Sequence, residues 1–567
     1  MLKKIIVGIF CFIVLAVTGA GIYLYTLDWN KHKAVVAQRI SQITGLKASI
    51  DGNLDVKLFP SPKFTAGKVK FLKNTGGKDP LVVVNEIGAD VELMPLLDNN
   101  FIIRSMNLKQ ATVYVTIDEK GNLNWNGVGK NTHNKSGNIE VSFNDVRLNN
   151  ATLSYQNKAA NKEFNIAGIS ANVSAPALNG PYKVSGKFIH NNSEVQFKGD
   201  IVNDKSLILK MSASSASSGT AITLDGTLGS GARGNLTFDT QSLTGVANLI
   251  FGKDSMPEHY SQPLYFSFKY GYDDGIVKFD NFTAKYDKNT AGSGTVIAKK
   301  NNGRIAINAD FDMTRFDLNL LTGIGQDILA YVQGGKKIAE SPFAKYDMNI
   351  SVKSGTALYN NVEAQNLSFG ITLLNNVIDI TRFGLVMPGS TNIKTVGRIN
   401  LNNGIEYIFN QIYDTQDLRT FASIFNIDLA KFASKEDKKS IFKKAQAEVL
   451  LSGNLDSLKI SVPKALIDST SIQGNVGFVK KEKDTYVIVD ANLSKVIFDK
   501  YLQAMPDNLK NGTLQDKFVY QMNLIPWNRA LNVEGSINIG SAVYNDIPME
   551  NIALDFATNQ ENMTIKK

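Results

Sequence analysis

The sequence has few of the residues that carry chemistry. Among 567 residues there is one cysteine, Cys11, and four histidines, His32, His133, His190 and His259. Disulfide frameworks, zinc fingers and iron–sulfur clusters need these residues in sets and are excluded. No histidine has a second one at i+4, so none reads as half of a helical metal site. Charge of one sign is not in large excess, since 61 Lys and Arg face 52 Asp and Glu, a net charge of +9. That mild balance suits an anionic surface such as phospholipid headgroups, and no nucleic-acid partner is expected. Hydrophobic residues make up 43% and charged residues 20%, and no long apolar run follows the first 25 residues. A wholly disordered chain and a polytopic membrane protein are therefore excluded.

Catalytic motifs are missing as well. Gly229-Ser230-Gly231-Ala232-Arg233-Gly234 fits G-x-G-x-x-G, but strand-like Asn235-Leu236-Thr237-Phe238 follows it, so it reads as a turn. Gly292-Ser293-Gly294 lacks the spacing of a nucleophile elbow, and Asp273-Asp274-Gly275 reads as a hairpin turn. No spacing suggests a catalytic, cofactor or metal site, so neither an enzyme nor a cofactor is expected.

What is present begins with an apolar run from Ile5 to Tyr25, behind the basic tail Met1–Lys4. As a helix it would be about 31 Å long, which matches the hydrocarbon core of a bilayer. Tyr23, Tyr25 and Trp29 stand at its far end, where amphipathic aromatics favour the membrane interface. Thr18-Gly19-Ala20 would also suit a cleaved signal peptide, but the run continues past it. The expectation is a single-pass anchor with its N-terminus inside and the bulk of the chain exported. Cys11 lies within the span and reads as an inert buried thiol.

Asp28 to Thr44 reads as a helix, with Val35, Val36, Ile40 and Ile43 on one face and Gly45 placed to end it. The period then changes to two. Leu54, Val56 and Leu58 alternate with Asp55 and Lys57, and Val184, Gly186 and Phe188 alternate with Lys183, Ser185 and Lys187. Such alternation marks strands with one apolar and one wet face, and turn clusters such as His190-Asn191-Asn192-Ser193 suggest an antiparallel meander. Helical interludes are expected at Phe316–Val332, as a pair within Leu418–Gln446 joined near Asn426-Ile427-Asp428, and at Ser494–Leu509, broken at Pro506. The run from Lys435 to Lys444 reads as a solvated helix face or as a basic contact with anionic headgroups. The expected divisions are 1–27, 28–130, 131–315, 316–448 and 449–567.

An internal repeat is visible. Ala357-Leu358-Tyr359-Asn360-Asn361-Val362 is similar to Ala542-Val543-Tyr544-Asn545-Asp546-Ile547, with Gly355 and Gly540 at the same offset before each. Ala151-Thr152-Leu153-Ser154-Tyr155 is a weaker copy. The chain is expected to end inside a repeat. Repeated units with one apolar face cannot bury it alone and stack into a long body.

Several blocks resemble the AsmA-like family. They are Thr44-Gly45, Ile50-Asp51-Gly52-Asn53-Leu54, Phe59-Pro60-Ser61-Pro62 and Val69-Lys70-Phe71, then Val91-Glu92-Leu93-Met94-Pro95-Leu96-Leu97, Ile103-Arg104-Ser105-Met106-Asn107-Leu108 and Gly121-Asn122-Leu123-Asn124-Trp125. The resemblance is specific over about residues 1–130. It implies an envelope protein of Gram-negative bacteria, anchored in the inner membrane with its bulk in the periplasm. It also implies a mostly β fold, an elongated, curled antiparallel sheet with an apolar groove and a few short helices, which carries phospholipid acyl chains towards the outer membrane. Some members of the family are instead associated with outer-membrane protein assembly, which makes a non-enzymatic assembly or chaperone-like factor the alternative. Outer-membrane or assembly proteins are then possible partners beside phospholipids. The groove positions expected are Leu54, Val56, Leu58, Val113, Val115, Ile117, Val184, Phe188, Val195 and Phe197. Alternation by itself would equally build a closed, dry sandwich core, and the resemblance favours the groove.

Overall fold

The computed structural model describes residues 27–566 apart from internal segments, chiefly 58–62, 74–78, 93–100, 126–140, 336–341, 435–439, 502–508, 517–519 and 521–530. The chain divides into two units, Met1–Asp273 and Asp274–Lys567, a boundary that falls inside the expected segment 131–315. The expected span Ile5–Tyr25, with Tyr23 and Tyr25, lies outside the described residues. Among the described residues no helix is long and apolar enough to cross a membrane.

The first unit opens with a 3-10 turn, Trp29–His32, capped by the Asp28 carboxylate, which accepts from the Asn30 N–H at 3.1 Å. Helix α1 (Lys33–Thr44) follows and ends as expected at Gly45, whose φ of 69° lets its N–H reach back to the Ser41 carbonyl. Strands β1 (Lys47–Ile50) and β2 (Leu54–Lys57) lie end to end along β3 (Lys63–Leu72). Between them the chain passes so close to β3 that a Cβ on Gly52 would stand 2.5 Å from the Gly67 carbonyl carbon. The sheet continues through β4 (Pro80–Val91), β5 (Phe101–Ile117), β6 (Val141–Asn157), β7 (Lys162–Ala175), β8 (Tyr182–His190) and β9 (Ser193–Asn203). It is completed by β10 (Leu207–Ser215), β11 (Thr220–Leu228), β12 (Arg233–Thr240) and β13 (Leu264–Asp273). Helix α2 (Leu243–Phe251) joins the last two strands, and Ser242 caps it by accepting from the Gly245 N–H.

The second unit repeats the plan. It runs through β14 (Ile276–Tyr286), β15 (Thr290–Asn301), β16 (Arg304–Asp317), helix α3 (Asn319–Gln333), β17 (Tyr346–Tyr359), β18 (Val362–Leu374), β19 (Val377–Met387), β20 (Thr391–Asn400) and β21 (Glu406–Thr415). Helix α4 (Leu418–Ser423) precedes β22 (Ala445–Gly453), β23 (Ser457–Ile467), β24 (Thr470–Lys481), β25 (Asp484–Ile497), β26 (Leu531–Tyr544), β27 (Ile547–Thr558) and β28 (Met563–Ile565). Within each unit, from β3 onward, every strand pairs with its neighbour in sequence, in the manner of a meander.

The all-antiparallel expectation needs correction at three junctions. β5–β6, β16–β17 and β25–β26 are parallel. A parallel neighbour requires the chain to cross back along the sheet, and α3 makes one of those crossings. These junctions explain the repeat, because Ala151, Ala357 and Ala542 all lie on the strand that re-enters after the crossing, and all three are buried to 2% exposure or less. After Tyr359, Asn360 and Asn361 turn the chain with φ of 47° and 65°, the left-handed pair of a tight hairpin. On the opposite face each junction carries an asparagine pair: Asn149 donates to Asn107, Asn349 to Asn308 and Asn538 to Asn492.

Two helix expectations shift. Phe316 and Asp317 still belong to β16, and α3 starts at Asn319. Ser494–Leu509 does not begin as a helix: β25 runs to Ile497 and a 3-10 turn, Phe498–Lys500, follows, while Pro506 lies outside the described residues. Leu493 and Val496 imitate helical spacing because an irregularity at Ser494 sends both to the same buried cluster. The pair expected within Leu418–Gln446 is present as α4 and a 3-10 turn, Leu429–Phe432.

Candidate functional site: the apolar face

Residues paired across a β ladder point to the same side of the sheet. In the first unit one ladder row reads Val56, Phe64, Ala89, Met106, Val146, Val173, Val184, Gly199, Met211, Leu224, Leu236, Phe268. It crosses every strand from β2 to β13 without a polar side chain. One residue further along the strands, the row from β7 to β13 reads Asn172, Ser185, Lys198, Ser212, Thr223, Thr237, Ser267. The second face is therefore wet. It holds an open hollow of about 680 Å³ in which Lys183, Asp200, Lys210 and Asp225 alternate across the ladder.

The second unit carries an equivalent row: Phe279, Val296, Ala309, Ile350, Ile371, Ile380, Gly397, Phe409, Leu451, Ile460, Val476, Val489, Gly535, Phe556, Ile565. It too is unbroken by a polar side chain.

Burial along these faces is uneven. At the start of the first unit, α1 lies on the apolar face with Val36 and Ile40, and Leu54 and Val69 beneath it are 3% and 0% exposed. From β8 onward the apolar side chains are only half-buried, and the strand alternates between half-buried and exposed positions at each step. In the second unit Leu367, Leu385 and Met387 are sealed, with Leu321 of α3 and Phe421 of α4 packed against their cluster. Towards the other strand ends Ile305, Met348, Leu373 and Ile399 are half-buried. Each unit therefore has a sealed stretch under helices and an accessible apolar stretch.

The structure spreads the expected groove residues over both stretches. Leu54 sits in the sealed stretch under α1, Val56 is also buried, and Leu58 lies outside the described residues. Val113, Val115 and Ile117 line β5 and are half-buried. Val184, Phe188, Val195 and Phe197 come together on β8 and β9, where Phe188 pairs with Val195 and the rings of Phe188 and Phe197 are 6.1 Å apart. Trp29 is half-buried against the cluster of Leu54 and Val69, and its enclosed indole Nε1 has no partner among the described residues.

Sequence reading missed most of the face. It passed over Phe238 and Phe266, stacked at 4.8 Å, and the whole of the second unit. The signal was the same alternation, as in Leu264-Tyr265-Phe266-Ser267-Phe268. Neutral polar groups also reach this face, among them the phenols of Tyr413 and Tyr270 and the Gln411 amide. Burial pushes the Tyr413 phenol up, and burial followed by the nearby Asp225 charge does the same for Tyr270. Tyr413 donates to Gln411 at 2.8 Å and Tyr270 to the Thr227 carbonyl at 3.1 Å. Such a surface is suited to contact with hydrocarbon.

Comparison with known proteins fits the N-terminal part of this picture. The family model described as the AsmA family matches residues 1–248. The chain is similar to Protein AsmA of Escherichia coli (strain K12), with 22% identity over 115 residues. That stretch is 20% of this chain and 18% of that protein, so the match spans under a fifth of the relative's length. No solved structure matches the chain. Within the family region Asn124 and Trp125 fold back on β5, and both donate side-chain N–H groups to the Tyr114 carbonyl, at 2.9 and 2.8 Å. Residues 1–248 thus carry the pattern of the AsmA family.

Proposed function

We propose that this protein is held in the inner membrane of a Gram-negative envelope by Ile5–Tyr25 and carries phospholipid acyl chains along its apolar face through the periplasm, towards the outer membrane. The observation that supports this most is the unbroken apolar row of each unit, half-accessible where no helix covers it. Each CH₂ transferred out of water gains about 0.8 kcal/mol, so two acyl chains of ordinary length oppose passage through water by roughly 20 kcal/mol. A continuous hydrocarbon surface removes most of that barrier while the headgroup stays hydrated, and no catalytic group is needed. The match of residues 1–248 to the AsmA family agrees with an envelope role.

A photoreactive phenylalanine analogue placed in living cells tests the reading. At Phe197 or Phe311, on the apolar face, it should crosslink to phospholipid. At Lys198 or Asp310, one residue away on the wet face, it should not. Equal labelling of both faces, or of neither, overturns the reading.

A further inference from the structure

Glycine recurs on the apolar face at positions where neighbouring strands carry large side chains. The ring of Phe409 lies over Gly397, its ladder partner, and Phe556 lies over Gly535. A Cβ on Gly294 would meet the Phe311 ring at 2.6 Å. The phenol of Tyr407 covers Gly453 on the other side of its strand, at 2.8 Å from where a Cβ would stand. Tyr407 and Phe409 lie nearly parallel, with an interplanar angle of 25°. In the first unit Tyr270 spans two glycines, with its hydroxyl 2.6 Å from a Cβ on Gly226 and 2.7 Å from one on Gly234.

Strand side chains ordinarily stand roughly perpendicular to the sheet. A ring over a glycine can instead lie down in the space that a side chain would have filled. These rings therefore widen the apolar area while rising little above the backbone. A Cβ on Gly397 would also stand 2.5 Å from the Ile408 carbonyl oxygen, so the close strand contact favours glycine too, although glycine weakens a strand interior and gives up apolar contact. A glycine in a strand also marks a place where something approaches the sheet closely. All of these tiles lie on the apolar face, and the aromatic covers remain half-buried, so the approaching body meets the rings from the open side.

We infer that the glycine–aromatic tiles set the depth of the apolar face, and that Gly294, Gly397, Gly453 and Gly535 keep its floor low enough for flexible acyl chains to lie across the strands. This rests on the acyl-chain reading above. A valine at Gly397 lifts Phe409 towards the open side and narrows the passage. An alanine at Phe409 exposes the glycine and deepens the floor.

The experiment uses the full chain in cells, with the photoreactive analogue at Phe279, half-buried in the same apolar row, and phospholipid crosslinking as the readout. Thermal unfolding of each purified variant is measured alongside. Gly397→Val should lower crosslinking to less than half of the parent, while Phe409→Ala should retain it or raise it, although both variants lose stability. If crosslinking falls equally in both and follows the loss of stability, the tiles serve the fold alone and the inference is overturned. If the parent itself does not crosslink, the acyl-chain reading fails first. If Gly397→Val folds too poorly to assay, Gly294→Ala, beneath Phe311, provides the same comparison, and unchanged crosslinking there overturns the inference.

Discussion

A lysine placed at two adjacent positions of β11 should have opposite consequences. Leu224 lies in the apolar row between Met211 and Leu236, and Thr223 lies on the wet face between Ser212 and Thr237. Full burial of a leucine is worth about 1.5–3 kcal/mol, and Leu224 is only half-buried, so Leu224→Lys should cost about 1 kcal/mol. The lysine stem recovers part of that by lying along its apolar neighbours. The fold should therefore survive. For an acyl chain on that face the change is larger, since a charged group among hydrocarbon costs about 2.5–3.5 kcal/mol. At about 1.4 kcal/mol per factor of ten, local acyl occupancy should fall about a hundredfold. Thr223→Lys, exposed and between neutral partners, should change stability by no more than about 0.5 kcal/mol and leave occupancy unchanged. The assay places a photoreactive side chain at Phe268, two strands along the row, and measures phospholipid crosslinking together with thermal unfolding of each variant. If both lysines reduce crosslinking equally, or neither does, the assignment of faces or the role of the apolar one is refuted.

Further outcomes follow from the same geometry. Asn551 holds φ of 57° inside β27, where a β-branched residue is disfavoured, so Asn551→Val should cost about 1–2 kcal/mol and Asn551→Gly should be nearly neutral in denaturant unfolding. Asn538 donates to Asn492 across a parallel junction at 3.1 Å, and a double-mutant cycle with alanine should return a coupling of about 0.5–1 kcal/mol. Lys70 beside Asp51, through a hydrogen bond first, holds that carboxyl below its ordinary value, and Lys187 does the same for Glu194. A carboxylate with a depressed folded pKa adds stability above its unfolded pKa and loses it as pH falls through the folded value. Unfolding midpoints of the first unit should therefore fall below about pH 4, and Asp51→Asn should flatten part of that slope.

Much of the fold was legible because the period of two survives in the composition of each strand, as in Tyr182–His190 and Ser193–Asn203. The parallel junctions were not legible, because alternation marks a strand but not the direction of its neighbour. Irregular positions also hid the face. Gln110 and Asn150 adopt positive φ within β5 and β6, so Leu108 and Ala111 pack into one cluster at a spacing of three. A simple odd–even count assigns them to opposite sides. Leu54 shows a further limit: its alternation with Val56 is that of Val184 and Phe188, yet only the fold reveals that α1 seals Leu54. The glycine tiles were not legible, since their meaning lies in Phe409 and Phe556 on the next strand.

The most direct test is electron cryo-microscopy of the whole protein, purified from its own cells without added lipid. Elongated density lying along the row from Phe279 to Phe556, with the apolar face open beside it, is the expected result. An apolar face covered throughout by protein, with no space for an acyl chain, would contradict the proposal that this face carries lipid.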